Sequence, residues 1–107
     1  MAHIPERDWR CFKEVRSRLL EQFCASILQE IAAASRSVQG TAHDRYLKIY
    51  KLIEKRDEQI AHAFNDFRRS TAIMQLGILR RMKLLSDEDL NMFSEETRRF
   101  VEGIASL

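Results

Sequence analysis

Residues that interrupt helices are almost absent from this chain. It contains one proline, Pro5, and three glycines among 107 residues, whereas apolar residues recur every three or four positions from Trp9 almost to Leu85. This spacing places apolar side chains on one side of an α-helix, and proline and glycine are the residues that most disfavour helix interiors. The sequence therefore predicts an all-α fold, a helical bundle.

The composition is that of a folded protein. Hydrophobic residues make up 45% and charged residues 32% of the chain, a balance that allows a core and a polar surface. A chain of this length is expected to form one domain over residues 1–107. The formal net charge of +2 is too small to indicate a nucleic-acid or membrane partner.

The two cysteines and the N-terminal residues bear on the cellular compartment. Cys11 and Cys24 lie in one predicted helix, roughly 20 Å apart at 1.5 Å per residue, too far for a disulfide. There is no apolar run typical of a signal peptide, nor one approaching the about 18 apolar residues of a membrane span. Free thiols without an export signal favour a cytoplasmic protein, and no membrane association is expected.

A long antiparallel helix hairpin is the predicted frame of the bundle. The first helix is expected over about residues 6–36 and the second over about 42–69. Gly40 suits a turn between them, and Thr41 with Asp44 resembles a capping box that begins the second helix. A short connection between two amphipathic helices predicts antiparallel neighbours.

A third helix is predicted over about residues 71–85, followed by one or two short C-terminal helices. Ser86 and Ser94 each precede acidic residues, which is the pattern of a helix N-terminus. Large apolar residues from the first three helices are the expected core: Trp9, Phe12, Leu20, Phe23, Ile27, Ile53, Ile60, Phe64, Leu76 and Leu79.

The third helix is apolar on two sides and therefore needs two partners. One side carries Met74, Ile78, Met82 and Leu85, and methionine adapts well to interfaces. The C-terminal helices of the same chain could cover this side. Because those helices are short and acidic, we favour a homodimer with Met74, Ile78, Met82 and Leu85 at its interface.

Residue patterns that carry catalytic or metal chemistry are missing. The sequence has no CxxC, HExxH, GxSxG or glycine-rich phosphate loop. Glu58, His62 and Asp66 follow one another at four-residue spacing, but this row faces away from the apolar side and is better interpreted as a solvated stripe. The sequence therefore predicts a non-enzymatic protein with no cofactor, no metal site and no catalytic residues.

Two charged residues fall on predicted apolar faces. Asp57 lies among the apolar residues of the second helix, and Arg16 lies among those of the first. Because an isolated buried charge is very costly, the hairpin predicts a buried Arg16–Asp57 ion pair that fixes its register. The alternatives are a polar pocket for a small ligand, to which Tyr46 or Tyr50 adds a hydroxyl, and a charge that simply reaches solvent.

Basic residues cluster around the predicted third helix. The group comprises Arg68, Arg69, Arg80, Arg81 and Lys83, which could contact phosphates. No aromatic side chains alternate with them, as single-stranded nucleic acid binding favours. We therefore expect internal pairing with the acids that follow, such as Asp87, Glu88, Asp89 or Glu95, and keep nucleic-acid binding as the alternative.

The chain also resembles a group of small bacterial helical proteins. The resemblance rests on His43-Asp44-Arg45-Tyr46-Leu47, Arg56-Asp57, Ala63-Phe64, Arg68-Arg69-Ser70 and Gln75-Leu76. It implies a helical fold and carries no assigned activity.

Three functions thus follow from the sequence. The leading prediction is a non-enzymatic interaction protein, a homodimer or a protein-binding module. The alternatives are a nucleic-acid-binding regulator that uses the basic group and a small-ligand site between the long helices.

Overall fold

The computed structural model describes residues 3–107, and helices are the only regular structure in that range. They are α1 (Glu6–Arg36), α2 (Ala42–Phe64), α3 (Ala72–Arg81), α4 (Asp87–Leu90) and α5 (Glu95–Ala105), with a 3-10 turn (Arg69–Thr71) before α3. The predicted all-α bundle is confirmed.

The hairpin of α1 and α2 forms as predicted at its closed end. Gly40 takes a left-handed conformation with φ 79°, which suits glycine because it lacks a Cβ. The Thr41 hydroxyl then accepts a hydrogen bond from the Asp44 amide at 3.0 Å, and the Asp44 carboxylate accepts one from the Thr41 amide at 2.9 Å. These two bonds satisfy amides that the first turn of α2 leaves unpaired.

The second helix ends five residues earlier than predicted, at Phe64 and not at residue 69. Beyond it, the Thr71 hydroxyl donates to the carbonyls of Asp66 and Arg68 at 3.3 and 3.2 Å, and the Arg68 side chain donates to the Asp66 carboxylate at 2.6 Å. Such local side-chain bonds offer the backbone an alternative to the helix. The predicted bound was therefore wrong.

The third helix also ends early, at Arg81 and not at residue 85. Lys83 adopts a left-handed conformation with φ 64°. The Leu84 amide donates to the Leu79 carbonyl at 2.9 Å, and the Lys83 amide donates to the Arg80 carbonyl at 3.0 Å. This is the Schellman arrangement of a helix C-terminus, in which the left-handed position is usually glycine.

A substitution at Lys83 tests this helix end. Because a side chain at a left-handed position is strained, we expect Lys83→Gly to raise the free energy of unfolding by about 0.5–1 kcal/mol, measured by urea denaturation. Lys83→Ala removes the charge but keeps the Cβ, so it should give no gain. Equal stabilities of the two variants would show that loss of the charge, and not relief of backbone strain, causes any change in the free energy of unfolding.

Serine caps begin the two C-terminal helices, as predicted. The Ser86 hydroxyl accepts from the Asp89 amide at 3.0 Å, and the Ser94 hydroxyl accepts from the Thr97 amide at 3.4 Å. Both helices therefore begin at the predicted positions.

The core lies where α3 is enclosed by the hairpin on one side and by α5 on the other. Ala72, Leu76 and Leu79 of α3 are completely buried. One connected cluster of buried apolar residues surrounds them: Ile4, Phe12, Val15, Leu19, Ala63, Phe64, Ile73, Leu85, Leu90, Phe93 and Val101. Leu76 and Leu79 on one apolar side and Leu85 on the other thus belong to one cluster, so this chain covers most of both sides.

Gly77 allows α3 and α5 to approach closely. A Cβ added at Gly77 would lie 2.3 Å from Cγ2 of Ile104 and 2.7 Å from its Cβ, closer than carbon atoms can pack. Glycine lowers the helix propensity of α3, but here it lets the Ile104 side chain of α5 pack directly against the α3 backbone.

This contact predicts opposite effects at two helical glycines. We expect Gly77→Ala to destabilise the protein by about 1–3 kcal/mol through overpacking. Gly103→Ala, with nothing within 4 Å of its added Cβ, should stabilise α5 by up to about 1 kcal/mol. Thermal and urea unfolding of both variants measure the difference, and a stabilised Gly77→Ala protein would contradict the close approach.

The molecule is elongated, with principal extents of 52 × 22 × 22 Å. We call residues 27–56, the closed end of the hairpin, the arm, and the remainder the head. Ile27 and Ala34 are the buried apolar residues of the arm. Ile53, which we expected in the core, is 47% exposed, because α3 and α5 do not extend along the arm.

Candidate interaction surface

Arg16 does not pair with Asp57. Its guanidinium group donates to the carbonyl of Phe64 and lies over the ring of Phe67, with Cζ 4.3 Å from the ring centroid. The side chain thus places a cation at the C-terminus of α2, where the helix dipole favours positive charge, and adds a cation–π contact. The predicted ion pair was wrong.

The other members of the predicted pocket lie on the outside of the hairpin. Asp57, Tyr46 and Tyr50 are all exposed, the tyrosines by 63% and 53%. α2 contacts α1 through a neighbouring flank that carries the partly buried Ile49 and Leu52. The structure therefore does not bring Arg16, Asp57 and the tyrosines together into a site between the long helices.

Arg68 and Arg69 of the basic group have partners within the chain. Arg68 forms a bidentate ion pair with Asp66, with hydrogen bonds of 2.6 and 3.1 Å. Arg69 pairs with Glu6 at 2.5 Å and donates to the carbonyl of Ile4 at 3.3 Å. The Arg69 contacts join the segment before α3 to the beginning of α1.

Arg80 and Arg81 are also held by the chain. The Arg80 guanidinium pairs with Asp87, as expected, and with Glu102 at 2.8 Å. Arg81 donates to the backbone oxygen of Leu107, and Lys83 occupies the left-handed position after α3. Four of the five basic residues thus stabilise the head, an arrangement that does not favour a phosphate-binding surface.

The interface predicted on the third helix is mostly covered. Leu85 is 1% exposed, while Ile78 and Met82 are partly buried against the core. Met74 is 42% exposed and stands alone. Because Leu85 is buried and Ile78 and Met82 pack against the core, the four residues do not form an open surface, and this predicted interface was wrong.

An open apolar surface lies instead on α2. Positions 43, 46, 50, 53, 57, 60 and 64 follow a spacing of three and four residues, the pattern of a coiled-coil seam. At its C-terminal end this seam is covered, with Phe64 buried and Ile60 partly buried. In the arm the same seam is open at Tyr46, Tyr50 and Ile53.

α1 extends the open surface with Leu28, which is 66% exposed. It follows the buried Ile27, and a helix turns about 100° per residue. Leu28 thus lies on the flank of α1 opposite to Ala33, and Tyr50 lies on the flank of α2 opposite to Lys48, so both lie on the same side of the hairpin. Ala33 and Lys48 line a shallow groove on the opposite side. We call the surface formed by Leu28, Tyr46, Tyr50 and Ile53 the tyrosine face.

The structure adds no site for metal or thiol chemistry. Within residues 3–107, no three His, Cys, Asp or Glu side chains are grouped so that they could hold a metal ion. Asp66, part of the row with Glu58 and His62, lies beyond the end of α2. Burial raises the pKa of the Cys11 thiol, which disfavours the reactive thiolate.

Among residues 3–107, no helix has the length and apolar character that a membrane crossing requires.

Asp8 is a buried acid that sequence reasoning missed. Its carboxylate is completely buried and accepts hydrogen bonds from the amide and hydroxyl of Ser94 at 3.0 and 2.5 Å and from the Thr97 hydroxyl at 2.5 Å. Burial alone raises the pKa of Asp8, but these bonds outweigh it, so the pKa lies below its ordinary value. Asp8 thus anchors the beginning of α5 to α1.

The lowered pKa of Asp8 predicts a pH-dependent contribution to stability. Asp8→Asn should lower the free energy of unfolding at pH 7 by about 1–3 kcal/mol. A carboxylate whose pKa is depressed on folding stabilises above its unfolded pKa of about 4 and loses that effect as the pH falls through the folded value. The difference between wild type and variant should therefore shrink in acid.

Urea denaturation over a pH series measures this difference. Glu14→Gln, which neutralises an exposed carboxylate of the same helix, should change stability by less than about 0.5 kcal/mol. A gap between wild type and Asp8→Asn that stays constant from neutral to acidic pH would contradict the role of the charge.

Comparisons of the chain with protein-family models, with curated proteins and with solved structures found no match. The resemblance to small bacterial helical proteins therefore stays a prediction.

Proposed function

We propose that this protein is a non-enzymatic helical interaction protein that forms a homodimer through the tyrosine face. The observation that supports this proposal is the open stretch of the α2 seam. Tyr46, Tyr50 and Ile53 are 63%, 53% and 47% exposed, although their spacing is that of residues that pack between helices.

Contiguity distinguishes this surface from ordinary exposed apolar residues. Single apolar side chains scattered over a surface are normal, whereas a contiguous patch indicates an interaction site. Tyr46, Tyr50 and Ile53 follow one another at successive turns of α2, and the Glu30–Arg56 ion pair sets Leu28 of α1 near the Ile53 end of this row. The arm thus presents an apolar strip along its length.

The size and chemistry of the tyrosine face fit a modest protein interface. Its four side chains expose on the order of 500 Å² per copy, and a specific interface buries about 800 Å² per partner including its polar rim. Tyrosine is enriched in such interfaces because it combines a large apolar ring with a hydroxyl that tolerates water.

The two alternative functions gain less support. Binding of nucleic acid would require the basic group to be available, but Arg68, Arg69 and Arg80 are engaged in ion pairs. A small-ligand site would require Arg16 and Asp57 to face one cavity, whereas Arg16 contacts Phe67 and Asp57 is exposed.

Sedimentation equilibrium of purified protein tests the proposal. We expect wild type to dimerise in the micromolar range, and we expect the double variant Tyr46→Ser/Tyr50→Ser to weaken dimerisation by at least about 100-fold, since interface tyrosines often contribute most of the binding energy. Because both side chains are exposed, the helical circular dichroism of the variant should match that of wild type at low concentration.

Phe100→Ser supplies a matched control. Phe100 is 45% exposed on α5, outside the arm, so its loss should leave dimerisation unchanged. A wild-type protein that remains monomeric at several hundred micromolar would overturn the proposal, as would a double variant that dimerises as tightly as wild type.

A further inference from the structure

Asp57 is the one charged residue of the α2 seam, and its surroundings within the chain do not explain it. It follows Ile53 by one turn and precedes Ile60 on the same seam. Within residues 3–107 it has no ion-pair partner. A carboxylate beside an apolar strip weakens any partner that lacks a complementary group there, so it restricts what can cover the tyrosine face.

We infer that a second copy of this chain covers the tyrosine face in the antiparallel orientation, with α2 packed against α2 of the partner. In this arrangement, Asp57 of each copy lies against His43 and Tyr46 of the other. The inference rests on the proposed dimer and adds its orientation and its polar contacts.

The spacing of the seam makes the surface self-complementary. His43 and Asp57 each lie seven residues from Tyr50, or about 10.5 Å along the helix in either direction. A two-fold axis near Tyr50 exchanges these two ends, as an isologous interface requires. The acidic end of one seam therefore meets the end of the other seam that holds the imidazole and a phenol.

The receiving end of the seam offers hydrogen-bond donors of the right kind. His43 and Tyr46 are exposed and lie side by side, with ring centroids 6.3 Å apart and an interplanar angle of 17°. A tyrosine hydroxyl and an imidazole N–H both donate to a carboxylate. The Asp57 carboxylate can therefore keep hydrogen bonds at the rim of the apolar contact.

The parallel orientation lacks these contacts. It brings equivalent residues together, so Asp57 of one copy would face the same carboxylate of the other. Like charges placed together across an interface cost several kcal/mol, and the imidazoles at the other end would remain without an acid. Charge thus selects the antiparallel orientation, as polar residues at seam positions do in coiled coils.

Distance measurement between the two closed ends of the hairpin tests the orientation. A spin label on Gln39→Cys, in a background with Cys11→Ala and Cys24→Ala, reports the label separation by pulsed electron resonance. The antiparallel dimer predicts a main distance on the order of 35 Å, since each turn lies about 11 residues from the two-fold axis. A main distance of about 10–15 Å, as expected for adjacent helices in parallel, would overturn the inference.

A charge exchange tests the contacts independently. We expect His43→Asp to weaken dimerisation by about tenfold or more, because it opposes Asp57 of the partner with a second acid. The double variant His43→Asp/Asp57→His should recover dimerisation close to wild type, since the exchange keeps opposite groups together only in the antiparallel orientation. Glu58→Lys, an exposed charge of α2 outside the seam, should have no effect.

The outcomes separate this inference from the proposed function. A dimer that depends on Tyr46 and Tyr50 but gives a short Gln39 distance, or no recovery in the double exchange, overturns the orientation and leaves the proposed function intact. A wild-type chain that never dimerises overturns both.

Discussion

Two packed helices can bury only one side of each other, and this geometric limit shapes the whole molecule. In the head, α1 is covered by α2 and α3 and contacts the start of α5 through Asp8, and both Phe12 and Val15 are buried. In the arm, α2 is the only neighbour that α1 has among the described residues. The seam of α2 crosses from one environment to the other, which is why Phe64 is 1% exposed and Tyr50 is 53% exposed. The arm therefore carries apolar surface that stays exposed in the folded chain.

The two charges on apolar faces have different fates because their side chains differ in length and surroundings. Arg16 is long enough to reach the end of α2, where it satisfies the Phe64 carbonyl and covers the ring of Phe67. A guanidinium group can stack and donate hydrogen bonds at once. Asp57 is short and lies where the cover of the head ends, and among residues 3–107 no cation pairs with it. The first charge thus contributes to the folded head, whereas the second is exposed and takes part only in the proposed dimer.

Helix bounds and caps could be predicted from sequence where the signal is local. α1 covers the predicted residues 6–36, and Thr41, Ser86 and Ser94 cap as expected. The ends of α2 and α3 could not be predicted. An apolar pattern does not reveal the side-chain hydrogen bonds of Thr71 beyond α2 or the left-handed Lys83 beyond α3. Contacts between distant parts of the chain were harder still to predict from the sequence. Asp8, Phe12, Val15 and Leu19 share a seam, a signal that a buried acid was present, but nothing local indicated that Ser94 and Thr97 would be its donors. The tyrosine face was missed because apolar spacing is the same whether a helix is covered or open.

In the proposed dimer, α2 would contribute to folding at its C-terminal end and to association in the arm. The contact of Gly77 with Ile104 closes the head around α3, and the hydrogen bonds of Asp8 hold α5 in that position. None of these contacts involves the tyrosine face, so changes at Tyr46 or Tyr50 can alter binding without opening the core. The reverse does not hold. α2 is oriented by Phe64, which is packed in the head, so loosening the core would also displace the seam that a partner must recognise. In the proposed dimer, association would therefore depend on the head even though the contact surface lies on the arm.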